Sequence, residues 1–167
     1  MKACDIVSTA WGSRFMGRHF PSSIGRNGLT TRKREGDGAS PVGTHRIVGM
    51  LYRPDRIAAH HLPTWARPIR LNDLWSDASD DVDYNQLVRA PYGFSHEKLR
   101  RADPLYDLIL ITDWNWPEAQ PGQGSAIFLH IWRRPRHGTE GCVAFSREDL
   151  IWIANRLTPH SRLILQG

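Results

Sequence analysis

Two apolar runs, residues 106–112 (YDLILIT) and 126–132 (AIFLHIW), limit most strongly what this chain can become. Both mix aliphatic, β-branched and aromatic residues and are too short for ordinary helices. The segment between them, residues 113–124 (DWNWPEAQPGQG), holds two prolines and two glycines, so it is a loop. Each run therefore reads as a strand. Side chains alternate along a strand, which puts Phe128, His130 and Trp132 on one face and Ile127, Leu129 and Ile131 on the other. Residues 45–51 (HRIVGML) have the same strand character, and residues 162–165 form a short final strand.

The segment after the second run, residues 133–141 (RRPRHGTEG), is no regular strand. Ser146 then opens a helix, with Asp149 three residues on in a capping-box-like pair. Leu150, Ile153, Ala154 and Leu157 follow at helical spacing, and Thr158-Pro159 ends the helix. Residues 25–43 are rich in Gly and charge and read as loops and turns. Residues 53–104, dense in Pro, Asp, Trp and Arg, yield no regular element and read as functional surface. The expectation is one mostly β domain over residues 1–167 with a single C-terminal helix. A chain of 167 residues can bury a core without cross-links. Its 40% hydrophobic and 23% charged residues exclude a disordered or fibrous chain. No run reaches the ~20 apolar residues of a membrane-spanning helix.

Lys plus Arg is 22 against 17 Asp plus Glu, a net charge of +5. That sign favours an acidic partner without choosing among nucleic acid, lipid and anionic polymer. Cys4 and Cys142 are the only cysteines, too few for a disulfide framework. The N-terminal stretch MKACDIVSTAWGSRFMG has no apolar signal-peptide core, since Lys2 is soon followed by Asp5 and then Arg14.

The densest chemistry lies in residues 128–145 (FLHIWRRPRHGTEGCVAF). His130 stands on a strand, and Cys142 follows a glycine just before the helix. A thiol is nucleophilic as thiolate, and an imidazole can take its proton and hold the ion pair. Gly141 lets the backbone approach a substrate carbonyl closely, and backbone N–H groups at such a turn can bind an oxyanion. Arg133, Arg134 and Arg136 would lower the thiol pKa and attract a carboxylate.

These residues resemble the signature of the YkuD-type L,D-transpeptidases. That family has a strand His, a variable segment, then Ser or Thr, His, Gly, Cys and an apolar residue; here the match is His130 and Thr139-Glu140-Gly141-Cys142-Val143. Residues 33–44 (KREGDGASPVGT) are similar to its early motif, in which Thr-Pro-x-Gly precedes a strand. Residues 106–115 (YDLILITDWN) are similar to its central strand ending in Asp, an aromatic and Asn. The resemblance implies a β-sandwich of mixed sheets with the Cys on a turn. It implies cross-linking of peptidoglycan stem peptides through a cysteine acyl-enzyme at the diaminopimelate carbonyl, with release of D-Ala. Carried over by position, Cys142 is the nucleophile, His130 the base, and Gly141 sits beside the oxyanion hole.

The sequence departs from the family pattern. Glu140 replaces the second His, Ala144 stands where Arg or Asn is common, and the His-to-Cys segment is short. No signal peptide or peptidoglycan-binding module is visible. These departures resemble a divergent proteobacterial branch, some members of which join the first residue of one stem to the diaminopimelate of another. Glu140 is expected to orient a basic group or an acceptor amine, or else to pair with a nearby Arg at the surface. At least one of Arg133, Arg134 and Arg136 is expected to hold a stem carboxylate in place of the cation missing at Ala144. Tyr84, Asn85, Asp113 and Asn115 are expected as polar groups of the cleft, with turn capping as the competing role for Asp113 and Asn115. His137 is expected to be a loop residue without a role, and most of the seven Trp to serve the core.

Other readings compete. A basic RNA- or glycan-binding module would use the charge and aromatics but not Cys142. A zinc site of His130, His137 and Cys142 lacks the paired spacing of zinc ligands. A cysteine peptidase or amidase would share the acyl-enzyme and resolve it with water. The expectation is an enzyme with no metal or other cofactor, no nucleic-acid partner and no membrane span. It is expected in the periplasm or cell envelope, where its substrate lies.

Overall fold

A computed structural model of the protein describes residues 4–167; Lys2, part of the reading of the N-terminus, lies outside them. Four strands open the chain: β1 (Asp5–Thr9), β2 (Gly12–Phe15), β3 (Arg18–Phe20) and β4 (Ser22–Ser23). The Gly-rich segment carries two minimal strands, β5 (Leu29–Thr30) and β6 (Ser40–Pro41), and leads into the longest, β7 (Gly43–Tyr52). Then come β8 (Arg67–Pro68), β9 (Asp73–Ser76), β10 (Leu87–Arg89) and β11 (His96–Lys98). The last part holds β12 (Leu108–Thr112), β13 (Phe128–Ile131), β14 (Val143–Phe145), the helix α1 (Arg147–Ala154) and β15 (Arg162–Leu165).

The main sheet is mixed and runs β3-β2-β1-β15-β7-β12-β13-β14-β4, with β8 also paired to β7. β7 passes it from one layer to the other. Its residues Gly43 to Arg46 pair with β15, whereas Ile47 to Tyr52 pair with β12. The far ends of this path meet again where Ser13 Oγ of β2 and Ser22 Oγ of β4 lie 2.7 Å apart. The two layers of the sandwich are therefore halves of one sheet folded over. Between them lies the larger core, with Ile6, Phe15 and Leu163 from one half and Met50, Leu110, Leu129 and Phe145 from the other. α1 adds Leu150, Ile153 and Ala154 to this core.

The structure corrects the sequence reading at three places. The helix ends at Ala154, not at Leu157. Arg156 and Leu157 turn their N–H groups to the carbonyls three residues back, Ile153 and Ala154, which tightens the chain out of the helix. Leu157 is buried nonetheless, so its apolar spacing serves a turn. Strands β1 to β4 were not expected, because their interior is partly polar. Ser8, Ser13 and Ser22 are buried and bond one another in a row at 2.7 Å, and Asp5 accepts two hydrogen bonds from Arg162 at 2.9 and 2.8 Å. Residues 53–104, read as irregular surface, contain a three-stranded sheet, β10-β9-β11.

That small sheet covers the outer face of β7, β12 and β13 and builds a second core. Trp75, Leu99, Tyr106, Ile109, Phe128 and Cys142 belong to it. The alternation expected for β13 holds: Phe128 points into this second core, Leu129 and Ile131 into the first.

Candidate active site

Cys142 lies at the junction of the second core and a cleft of about 480 Å³. Gly141 sets its backbone. Gly141 has φ +138°, and a Cβ there would fall 2.9 Å from the Ala39 carbonyl oxygen. Only glycine takes this conformation against this neighbour. Thr139 holds the turn from inside: its Oγ1 donates to the Cys142 carbonyl at 2.6 Å and accepts from the Gly141 N–H at 3.1 Å. Ser40 holds it from outside by donating to the Gly141 carbonyl at 2.6 Å. The stretch expected as loop, residues 25–43, thus clamps the Gly141–Cys142 turn.

The Cys142 thiol has two backbone partners. It accepts from the Phe128 N–H at 3.4 Å and donates to the Ala126 carbonyl at 3.0 Å. Ala126 is held in turn, with φ +52° and its N–H bonded to Asn85 Oδ1 at 2.9 Å. Burial pushes the thiol up to about 12; the Phe128 N–H and Lys33 oppose that rise and Glu97 adds to it.

His130 lines the same cleft. Its Nδ1 lies 2.8 Å from the Ile131 carbonyl oxygen, which can only accept, so Nδ1 carries the proton and Nε2 the lone pair. Burial holds the imidazole down at about 4, with Arg101 lowering it further and the Ile131 bond and Asp103 opposing. At neutral pH the resting site is therefore a neutral thiol and a neutral imidazole. Burial disfavours the charged form of both groups, so it opposes the ion pair expected from the sequence. Tyr106 packs edge-on against His130 with ring centroids 5.4 Å apart and donates its hydroxyl proton to Glu97. Burial raises the carboxyl of Glu97 and the phenol of Tyr106.

The expected site residues divide. Cys142, His130, Glu140 and Arg133 all line the cleft. Glu140 is exposed and ion-paired with Arg26, the surface pairing that was its alternative role. Arg134 and Arg136 are exposed and lie outside the cleft wall, because the segment turns between Arg133 and His137; Arg136 borders a separate depression beside Trp11. Tyr84, Asn85 and Asn115 do not line the cleft either. Tyr84 donates to Glu35, which does. Asn85 is buried and spans the loops: Oδ1 accepts from Trp75 Nε1 and the Ala126 N–H, and Nδ2 donates to the Trp114 and Asn115 carbonyls. Asn115 braces residues 115–124 through Gln120 and Gly124. Asp113 pairs with Arg46 at 2.8 Å. His137, expected without a role, does border the cleft.

Lys33, Glu97, Arg101 and Tyr106 are cleft residues that sequence reasoning did not single out. Only Lys33 and Tyr106 fell within quoted motifs, and neither residue type marks a site by its spacing. Among the described residues no group of three or more His, Cys, Asp or Glu is placed to hold a metal ion. No described helix is long and apolar enough to cross a membrane.

No curated protein is significantly similar to the chain in sequence. Among solved structures it is similar to an L,D-transpeptidase from Mycobacterium smegmatis, at 14% identity and a TM-score of 0.44, over 98% of this chain. The chain spans 58% of the length of that protein. Residues 14–165 match the YkuD L,D-transpeptidase catalytic domain. The matched span runs from within β2 to the end of β15 and contains the whole cleft, and the chain accordingly belongs to the YkuD L,D-transpeptidase family.

Proposed function

We propose that this protein is a peptidoglycan L,D-transpeptidase of the cell envelope that works through a Cys142 acyl-enzyme. The carrying observation is the tautomer of His130: the Ile131 carbonyl ties up Nδ1 and leaves an unprotonated Nε2 in the cleft that holds the thiol. When a donor stem displaces water from the cleft, the Cys142 proton passes to His130 Nε2. The sulfur attacks the diaminopimelate carbonyl of the stem. The Cys142 N–H is the donor we assign to the oxyanion. Collapse of the intermediate expels D-Ala, whose amine takes the proton from His130. The amine of a second stem then attacks the thioester, losing its proton to His130 as the thiolate leaves. Arg133, in the cleft wall, is the arginine of the connecting segment that we assign to a stem carboxylate.

The test is intact-mass measurement after incubation with purified tetrapeptide muropeptides. Wild type and Cys4→Ala should gain the mass of the donor less D-Ala. Cys142→Ala should gain nothing and release no D-Ala. Release of D-Ala by Cys142→Ala would overturn the proposal. Loss of activity on chelation with recovery on adding zinc would contradict the metal-free mechanism.

A further inference from the structure

Lys33 is a cation in an unusual place. Its side chain is 2% exposed, yet it lines the cleft that holds Cys142. Lysine is almost never buried so fully unless paired. The ammonium has three N–H donors. One goes to Asp37 Oδ1 at 2.5 Å and one to the Arg34 carbonyl at 2.7 Å. The third has no partner among the described residues.

The side chain runs between two turns that bear on the nucleophile. A Cβ on Gly124 would fall 3.1 Å from Lys33 Cε, and one on Gly141 would fall 3.6 Å from the same atom. Both glycines have positive φ, +93° and +138°. Gly141 immediately precedes Cys142, and Gly124 lies two residues before Ala126, whose carbonyl accepts the thiol's hydrogen bond. Lys33 thus fills a slot that closes against the turn carrying the sulfur.

We infer that Lys33 is the cation that stabilises the Cys142 thiolate during attack, through a buried side chain whose Cε packs against the Gly141–Cys142 turn. This rests on the reading of Cys142 as nucleophile. The step balances simply: the S–H proton goes to His130 Nε2, the sulfur keeps the electron pair, and Lys33 stays protonated throughout. Such a cation is what the buried neutral pair lacks, since thiolate formation leaves a negative charge in a poorly solvated place.

The other groups facing the sulfur do not supply it. Tyr106 and His130 are neutral at rest, and Glu97 adds negative charge. Farther round the cleft, Arg101 is paired with Asp103 as Lys33 is with Asp37, but its side chain is 30% exposed and its charge is screened by water; Glu35 is held by Tyr84 and Glu140 by Arg26. Arg133 and His137 are exposed to water, which screens them, and Asp77 is a further acid. The competing role for Lys33 is scaffolding. Asp37 also accepts from the Arg34 and Ala39 N–H groups, so the pair shapes the loop that clamps Gly141.

The two roles separate by sign. In a Cys4→Ser background, Cys142 alkylation by iodoacetamide is followed by intact mass from pH 7 to 9.5. Lys33→Met should slow it about 10-fold at each pH, the effect of raising a thiol pKa by one unit. Asp37→Asn should speed it, because the ammonium loses its counter-charge, and Lys33→Arg should stay near wild type. Disturbance of a scaffold would move Lys33→Met and Asp37→Asn in the same direction. That result, or unchanged rates in both, overturns the inference. If Lys33→Met does not fold, the sign for Asp37→Asn decides alone. Failure of wild type to form an acyl adduct with tetrapeptide would instead count against the proposed function.

Discussion

His130 shows how burial decides the chemistry of one residue. An imidazole on a strand can be a packed core residue or a base. Here it is buried with Tyr106 against its ring, and it also lines the cleft. Its depressed value has a stability consequence. The unfolded chain binds the proton near pH 6.5 and the folded chain only near 4, so the unfolded state takes up more protons in between. Stability from the neutral imidazole is complete above pH 6.5 and is lost as pH falls toward 4. The loss is on the order of 3 kcal/mol. Urea midpoints at pH 7 and 4.5 should therefore fall further apart for wild type than for His130→Gln. Equal differences for the two proteins would refute this.

At the scale of elements, the site is a set of turns, each fixed by a few bonds. β13 and β14 are parallel neighbours, with Leu129 opposite Val143 and His130 opposite Ala144. That pairing brings His130 alongside the residues that follow Cys142, on the neighbouring strand. The Cys142 turn then depends on Gly141. Gly141→Ala should force either Ala39 or the turn to move, costing about 1–3 kcal/mol. Cys142 alkylation and acylation should fall with it, because Thr139 and Ser40 no longer hold the same carbonyls. A variant with wild-type melting temperature and acylation rate would show that the clamp is dispensable. Asn85 has a similar role on the other side, which its sequence context as one polar residue among many did not reveal.

At the scale of the whole molecule, β15 is the strand that closes the fold. It lies between β1, paired in parallel, and β7, paired antiparallel, and so joins the N-terminal strands to the rest of the sheet. Leu163 at its centre is fully buried in the larger core, and Arg162 grips Asp5 through two hydrogen bonds. Leu163→Ala should cost about 2–5 kcal/mol in urea unfolding, the usual range for a buried leucine. A loss below about 1 kcal/mol would show that the two layers are held together elsewhere. The cleft lies on the outer face of the opposite half, covered by the small sheet. Moderate loss at Leu163 should leave the acylation rate of the folded fraction unchanged.

The local patterns were legible in the residues themselves. β13 with its two faces, the strand ending at Thr112, the Ser146 cap and β15 all follow from short-range periodicity and turn chemistry, and the segment singled out for its chemistry does bring His130 and Cys142 to one cleft. What lay beyond the sequence depended on partners distant along the chain. Ser8, Ser13 and Ser22 look like surface residues until they bond one another inside the sheet. Asn85 looks like a cleft group until four partner atoms, from β9 and the loops, meet it. Arg133, Arg134 and Arg136 are equivalent in composition, and only the path of the loop puts Arg133 alone in the cleft wall. The charge state of the site was least legible of all. A pKa is set by desolvation and by charges converging from separate elements, and those distances exist only once the sheet has folded over.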